Sequence, residues 1–333
     1  MGNESIWAWL GFLAFVVVLI LIDLGLFSKK NHVIHFQEAA LMSALWIGVA
    51  LAFNGFVYVW LGGTAALEFF TGWLLEKSLS VDNLFVFVVI FSYFKVEPQY
   101  QRRVLVWGII GALIMRAVFI VLGTSLVELT HVTLGGFHFN PILLAFGAFL
   151  IYTGFNLARE NDENEPKIED NAAVKILKRY LPLTNHYHGE KFSIIENGKR
   201  LFTPLVLVLA VIETTDLIFA VDSIPAIIGV TKDPFIVFTS NIMAILGLRA
   251  LYFLLADVMD KFHYLKYSLA VILVFIGFKM VTEEWLLEGM LGLHKEQLAI
   301  LTLIFVIAVL ATGIVGSLIR KPEATSEIGA AED

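Results

Sequence analysis

Long apolar runs alternate with short polar segments along most of the chain. A helix of about 20 apolar residues crosses the roughly 30 Å of hydrocarbon in a bilayer, and about nine runs reach that length. They lie at roughly 6–27, 41–61, 66–93, 103–126, 141–157, 203–229, 235–256, 264–282 and 297–318. The alternating strands of a membrane β-barrel are absent from the pattern. The sequence therefore predicts an all-α polytopic membrane protein with about nine transmembrane helices.

The polar segments between these spans differ in their basic content. Segments after odd-numbered spans carry Lys and Arg, as in "SKKN" and "KVEPQYQRR", whereas "LGGTAALEF" and "ELTHVTLGGFHFN" carry none. Because basic loops stay in the cytoplasm, we expect the N-terminus outside and the C-terminus in the cytoplasm. The first run is too long for a signal-peptide core and lacks a preceding basic segment, so we expect it to be retained.

The composition narrows the function classes. The chain is 58% hydrophobic and 16% charged, whereas soluble domains have about 25% charged residues. It contains no cysteine, which excludes disulfides and thiolate metal sites. No Walker-type "GxxxxGK" occurs, so the sequence offers no ATP site. We expect the lipid bilayer as a partner and no nucleic acid.

One polar segment, 158–202, is long enough to have structure of its own. It predicts a short amphipathic helix near 171–180 and, from Asn-Gly in "KFSIIENGKRLF", a hairpin. His186 and His188 are candidate metal ligands, although two imidazoles in a polar loop are more often solvated.

Three blocks of sequence recur in the same order. "EKSLSVDNLFVF" resembles "DLIFAVDSIPAI", "ALIMRA" resembles "AILGLRA", and "LIYTGFNL" resembles "LVFIGFKM". The alignment places Glu76 on Asp216, Asp82 on Asp222, Asn83 on Ser223 and Arg116 on Arg249. Since each unit has three helices, the second copy enters the membrane from the opposite side. An inverted three-helix repeat is typical of secondary transporters, whose site lies near the midplane.

The repeat sets the predicted organisation of the chain. It comprises two N-terminal helices (1–65), the first repeat (66–157), a cytoplasmic loop (158–202), the second, inverted repeat (203–282), a ninth helix (283–320) and a disordered cytoplasmic tail (321–333).

Five acids lie inside predicted spans, and they are the candidate metal ligands: Glu76, Asp82, Glu213, Asp216 and Asp222. A charged residue at the centre of a span costs about 2.5–3.5 kcal/mol, so these acids need partners. The five acids together with Arg116 and Arg249 carry a net charge of about −3, which one divalent cation and one proton would neutralise. Oxygen ligands, with Asn83 and Ser223 in support, favour manganese, calcium or magnesium over zinc or copper. The alternative is a set of buried ion pairs that hold helices together.

Helix geometry limits how the acids share an ion. Glu76 and Asp82 are six residues apart, or about 9 Å along a helix, whereas ligands lie about 2.0–2.6 Å from a divalent cation. A two-fold axis would pair Glu76 with Asp222 and Asp82 with Asp216 in two subsites. Otherwise the helices break, and Pro225 predicts a break in the sixth span because it removes a backbone hydrogen bond.

Other polar residues lie within or at the ends of the spans. Asp23 and Lys77 are candidates for tuning access to the site. The favoured interpretation of both, and of Asn54 and Asn241, is structural.

At "EKSLSVDN", "ETTDLIFAVDSIPAI" and "FTSNIMAILGLRALYFLL" the sequence resembles the TerC family of tellurium-resistance-associated integral membrane proteins. It is similar to the long nine-span bacterial form, which includes a pH-regulated manganese exporter. The resemblance covers nearly the whole chain and implies a LysE-type exporter in the bacterial plasma membrane. It also implies links to metal loading of secreted enzymes, alkaline stress and tellurite resistance. The family's acidic motif residues correspond to the five acids above. Tellurite is an anion that an acid-lined site would repel, so we expect any role in resistance to be indirect.

Three functions are weighed. The first is a secondary transporter, not an enzyme, that exports Mn²⁺, with Ca²⁺ as a second candidate, driven by proton exchange or the membrane potential. The second is a non-transporting scaffold that delivers manganese to the secretion machinery. The third is an intramembrane aspartyl hydrolase. That chemistry needs one pair of aspartates that share a proton, whereas the acids here form a duplicated set with arginines, which argues against this function. We expect no organic cofactor.

Overall fold

The structure is a computed structural model of the 333-residue chain. It describes residues 5–26, 36–130, 132–134, 137–159, 172–184, 186–196, 198–255, 264–282 and 294–319. The side chains of Asp82 and Asp222 lie outside this description, although their backbones lie within helices.

Helices make up most of the described residues. They are α1 (Ile6–Leu26), α2 (Phe36–Leu61), α3 (Gly63–Tyr93), α4 (Pro98–Leu129), α5 (Pro141–Arg159), α6 (Ala172–Tyr180), α7 (Pro204–Val230), α8 (Pro234–Ile245), α9 (Leu248–Leu255), α10 (Leu265–Thr282) and α11 (Lys295–Ile319). Two antiparallel hairpins join β1 (Val132–Leu134) to β2 (Phe137–Phe139) and β3 (Ser193–Glu196) to β4 (Lys199–Phe202). The sequence predicts the second hairpin but gave no expectation of the first.

Most of the described long helices can cross a membrane. Seven of them, α1, α2, α4, α5, α7, α10 and α11, are long and apolar enough, and α8 with α9 makes an eighth span if the bent pair counts as one. Helix α3 has 31 residues but carries four charged residues, Glu68, Glu76, Lys77 and Asp82, which excludes it from this set. The chain is therefore an integral, multi-pass, helical membrane protein, and the count of nine spans stays a prediction.

The segment 158–202 packs on one end of the helix bundle. Val174 of α6 is buried, and the hydroxyl of Tyr187 donates to the carbonyl of Phe94, just after α3, at 2.6 Å. Burial raises the pKa of the Tyr187 phenol, so it remains protonated as a donor. Tyr252 of α9 donates to Gln101 in the first turn of α4 at 2.9 Å. The end of α3, the starts of α4 and α7 and the end of α9 thus share one end of the molecule.

Helix α8 lies at the centre of the fold. Its residues from Phe235 to Ile245 are all buried, as expected for a helix that is mostly apolar and has no charged residue. It begins at Asp233, whose carboxylate accepts from the backbone amides of Phe235 at 2.8 Å and Ile236 at 3.2 Å. Pro234 at the first helical position reinforces this N-cap.

The helix pair α8 and α9 is bent by 43° at Leu246 and Gly247. Gly247 has a φ of 84°, a left-handed conformation that favours glycine. An added Cβ would also lie 2.5 Å from Cγ of Trp46 on α2. Lys77 of α3 donates to the carbonyls of Ala244 at 3.0 Å and Leu246 at 3.4 Å, so the carbonyls freed by the break are satisfied.

The predicted break at Pro225 is wrong. Helix α7 runs without interruption from Pro204 to Val230, with Pro225 in its interior. The neighbours Ile224, Ala226 and Ile227 are buried, and this packing holds the helix together despite one missing hydrogen bond. A transmembrane helix tolerates proline where neighbouring helices support it.

Helices α5 and α10 approach each other through glycines. A Cβ added at Gly147 would lie 2.8 Å from the carbonyl of Gly277, and one added at Gly154 would lie 2.8 Å from the carbonyl of Ala270. Small residues let membrane helices bring their backbones together. The two helices are therefore locked along one face.

Candidate functional site

Three ionisable side chains from three helices meet in the interior. Arg116 on α4 lies between Glu76 on α3 and Asp216 on α7, and we call these three the central ion-pair cluster. Nη1 of Arg116 contacts Oε1 of Glu76, while Nη2 and Nε donate to the two oxygens of Asp216 at 2.9 and 3.3 Å. Glu76 and Arg116 are 0% exposed and Asp216 is 5% exposed. With both carboxylates ionised, the cluster carries a charge of −1 away from water.

Neutral polar groups complete the surroundings of Glu76 and Arg116. Ser80 donates to Oε1 of Glu76 at 3.4 Å, and Nδ2 of Asn241 on α8 donates to Oε2 at 3.0 Å. Ser223 accepts from Nη1 of Arg116 at 3.3 Å. Arg116 thus links Glu76 to two levels of α7, those of Asp216 and Ser223, and the predicted pairing of Glu76 with Asp222 stays a prediction.

Asn241 has a buried oxygen that no described atom satisfies. The residue is 0% exposed, and its Oδ1 lacks a hydrogen-bond partner within the described part of the chain. Because the carboxylate of Glu76 accepts the amide hydrogens, Oδ1 must point elsewhere. A buried acceptor without a donor is rare in proteins, and an oxygen in this state is suited to a cation. A single amide in an apolar span gives no sign of its neighbours, so the sequence alone favours a structural interpretation of Asn241.

Glu213 lies one helical turn before Asp216 on α7. It is half-buried and makes no hydrogen bond or ion pair with any residue that the structure describes. Its carboxylate packs against Gly111 of α4, where an added Cβ would overlap it. Glu213 is thus a third acid close to the central ion-pair cluster but not within it.

A cavity of about 20 Å³ lies between α3, α4, α7 and α9, which is room for about one water molecule. Asp216 lines one side of it and Arg249 another. Most of the remaining lining is apolar and includes two small residues of α4, Gly108 and Ala112. They lie eight and four positions before Arg116, on the same face of the helix.

Arg249 does not join the cluster, although the repeat places it on Arg116. Its Nη2 lies 3.0 Å from Oδ2 of Asp23 and donates to the carbonyl of Asp23 at 3.1 Å. This ion pair between the buried Arg249 and the half-buried Asp23 joins α9 to α1. The contact fits the structural interpretation of Asp23, and its role in access stays a prediction.

The remaining predicted residues are placed only in part. Asn83 is buried on α3 and makes no described hydrogen bond to the central ion-pair cluster. Asp82 and Asp222 lie on α3 and α7 with side chains outside the description. Among the side chains that are described, no group of three or more His, Cys, Asp or Glu is arranged to hold a metal ion. The predicted five-acid ligand set therefore stays a prediction.

Comparison with known proteins is consistent with this architecture. Residues 61–324 match the integral membrane protein TerC family. The chain is 47% identical over 280 residues to the "Uncharacterized membrane protein STKORF319" of Myxococcus xanthus, covering 84% of each chain. It is 46% identical over 286 residues to the "Putative membrane-bound redox modulator Alx" of Escherichia coli K12, covering 83% of this chain and 86% of that protein. An uncharacterized membrane protein of Rickettsia felis is 40% identical over 314 residues, which cover 94% of this chain and 98% of that protein. No solved structure matches significantly. The chain belongs to the TerC family of integral membrane proteins.

Proposed function

We propose that this protein is a secondary transporter that exports divalent cations, with Mn²⁺ as its main substrate and Ca²⁺ as a second candidate. One observation carries the proposal. Glu76 and Asp216, which are equivalent in the sequence repeat, converge from two helices on one buried guanidinium. Charged groups inside a membrane bundle are costly and mark ion pathways. The net negative charge of the cluster favours a cation.

An inverted repeat is part of the proposal, and the α5–α10 interface supports it. The alignment places Gly154 on Gly277, and the same offset places Gly147 on Ala270. Gly154 packs against the carbonyl of Ala270, and Gly277 packs against the carbonyl of Gly147. These two contacts exchange under a two-fold axis between the helices. Such an axis relates the halves of many secondary transporters.

The donor atoms favour a hard cation. The described oxygens near the cluster include the carboxylates of Glu76 and Asp216, the hydroxyls of Ser80 and Ser223 and the unpaired amide oxygen of Asn241. Oxygen ligands suit manganese, calcium and magnesium. The choice of manganese among them rests on the family resemblance.

Proton exchange is the driving force that we propose. Each positive charge exported against an inside-negative potential of about 100 mV costs about 2.3 kcal/mol. Export of a divalent cation therefore needs an inward flow of positive charge to offset it. Protonation of the carboxylates as the metal leaves would supply that flow.

We place the protein in the bacterial plasma membrane with the C-terminus in the cytoplasm. The end of α3 and the starts of α4 and α7 share one end of the molecule with α6 and the β3–β4 hairpin. Helix α6 carries Lys175, Lys178 and Arg179 on its exposed side. Basic segments of this kind favour the cytoplasmic side.

Some relatives are named "Putative membrane-bound redox modulator Alx", which suggests a redox role as a different function. Thiol–disulfide chemistry is excluded for this chain because none of its 333 residues is cysteine. We propose that any redox effect follows indirectly from the manganese supply.

Purified protein in liposomes tests the proposal. We expect wild-type protein to move radioactive manganese, and Asp216→Asn to abolish the flux. Asp23→Asn is the matched control, because it removes the partner of a buried arginine, at about 3–5 kcal/mol, away from the cluster. We expect it to retain flux in the fraction that folds. Absence of flux with wild-type protein would leave the scaffold function instead, and equal losses in both variants would indicate that the acids are structural.

A further inference from the structure

Arg116 occupies the position that a cation between Glu76 and Asp216 would take. Its guanidinium contacts one carboxylate through Nη1 and the other through Nη2. Ligand oxygens lie about 2.0–2.6 Å from a bound divalent cation, so the ion and the guanidinium cannot both lie between these acids. We propose that Arg116 is a tethered competitor of the transported cation, and that the cation binds by displacing it onto Glu213. This inference rests on the proposed transport function.

Glu213 is the described acid that can receive the displaced guanidinium. It makes no ion pair with any described residue, and it packs against Gly111, one turn and a half before Arg116 on α4. Long side chains on a helix point back towards its N-terminus, which is the direction of Gly111 from Arg116. Five residues also correspond to about 140° around the helix, so the displaced group has to move back along α4 and across the face that packs on α7.

The space beside Arg116 also lies in that direction. The cavity of about 20 Å³ is lined by Gly108 and Ala112 of α4 and by Asp216. It is too small for a whole guanidinium, but small residues line the path that the group would follow. The cavity therefore offers room for only part of the movement, and Arg249 also lines it.

The charges balance in the displaced state. Glu76, Asp216 and Glu213 together carry −3 when ionised, and Arg116 brings the described groups to −2. One divalent cation then gives zero, with the metal on Glu76 and Asp216 and the arginine on Glu213. Asn241 would contribute its unpaired oxygen to the metal. After the cation leaves, Arg116 returns to Glu76 and Asp216, and Glu213 is left as the carboxylate that takes up the exchanged proton.

Manganese binding to detergent-purified protein and flux in liposomes test this competition together. We expect Arg116→Gln to bind Mn²⁺ about tenfold more tightly than wild type, a change of about 1.4 kcal/mol, yet to transport it more slowly. The bound ion then has no competitor to release it. Arg116→Lys keeps the charge without the paired contacts to Asp216, so we expect intermediate affinity and restored flux. Arg103→Gln is the matched control, because Arg103 lies on the same helix with an exposed side chain 3.9 Å from Glu190; its manganese affinity should stay near the wild-type value.

A double-mutant cycle tests the role of Glu213. Glu213→Gln should weaken manganese binding in the wild-type background, because Arg116 loses its alternative partner. The same change should have no effect in Arg116→Gln, since no guanidinium remains to be displaced. If Arg116→Gln does not fold, the cycle is measured against Arg116→Lys, where the effect of Glu213→Gln should be smaller than in wild type.

The outcomes separate the two proposals. Wild-type protein that neither binds nor moves manganese would overturn the transport function itself. Wild-type flux together with Arg116 variants that bind manganese no more tightly than wild type would overturn the competition alone. Equal weakening by Glu213→Gln in both backgrounds would make Glu213 a direct ligand and would contradict the displacement step.

Discussion

At the scale of single residues, the site depends on where a side chain is missing as well as on the acids. Gly111 of α4 faces the carboxylate of Glu213, and no larger residue fits there without moving that carboxylate. The absence of a Cβ thus fixes where the third acid lies relative to Asp216. The position of the acid follows from two helices at once, and neither helix specifies it alone.

Gly111→Ala should therefore change transport without weakening the helix. Alanine has a higher helix propensity than glycine by about 1 kcal/mol, so any loss of function would come from displacement of Glu213. We expect lower manganese flux with nearly unchanged thermal stability. Gly55→Ala on α2, where an added Cβ meets nothing within 4 Å, is the control and should transport normally. Normal flux in Gly111→Ala would mean that the position of Glu213 is unimportant.

The sequence was sufficient to predict some of these residues but not their partners. The repeat singles out Glu76 and Asp216 as equivalent acids, and the depth of Arg116 in its span predicts an internal counter-ion. Arg249 is equally deep, yet it pairs with Asp23 on α1. That choice depends on the packing of α9 against a helix more than 200 residues away in sequence, which no local pattern contains.

At the scale of elements, the broken helix lies in the seventh span rather than the sixth. The signal was present, since "AILGLRA" has one more residue than the "ALIMRA" to which it aligns, and the break falls at its glycine. Pro225 predicts a break in the sixth span because proline usually interrupts helices in soluble proteins. In a packed bundle the loss of one hydrogen bond is tolerated, whereas an inserted glycine in the left-handed region changes the direction of the chain.

Gly247→Ala should destabilise the protein through both its backbone and its neighbour. A non-glycine residue held at positive φ costs of order 1–3 kcal/mol, and the new Cβ would also collide with Trp46. Gly189→Ala separates the two effects, because Gly189 has a φ of 61° but open space around it. We expect the thermal unfolding temperature in detergent to fall further for Gly247→Ala than for Gly189→Ala. Equal shifts would mean that the contact with Trp46 adds nothing.

At the scale of the whole molecule, the topology depends on whether α3 crosses the membrane. The described helices supply seven candidate spans, or eight with the bent pair α8–α9, and α3 would add one more. Helix α3 is long enough to cross, and two of its charged residues face the interior: Glu76 is buried in the central ion-pair cluster and Lys77 binds the carbonyls at the helix break. The number of charged residues along a helix does not show this arrangement, because a charge that is paired inside the bundle counts the same as one that faces lipid.

The absence of cysteine allows a direct test of the topology. Single cysteines introduced as Ser5→Cys and Ser326→Cys have no background thiol in this chain. An odd number of spans places the two termini on opposite sides of the membrane. We therefore expect a membrane-impermeant maleimide to label Ser5→Cys in intact spheroplasts, and to label Ser326→Cys only after lysis. Labelling of both cysteines, or of neither, in intact spheroplasts would mean an even number of spans. With α1, α2 and α11 each crossing once, an even total would leave α3–α5 and α7–α10 with unequal numbers of spans, and the inverted repeat would have to be abandoned.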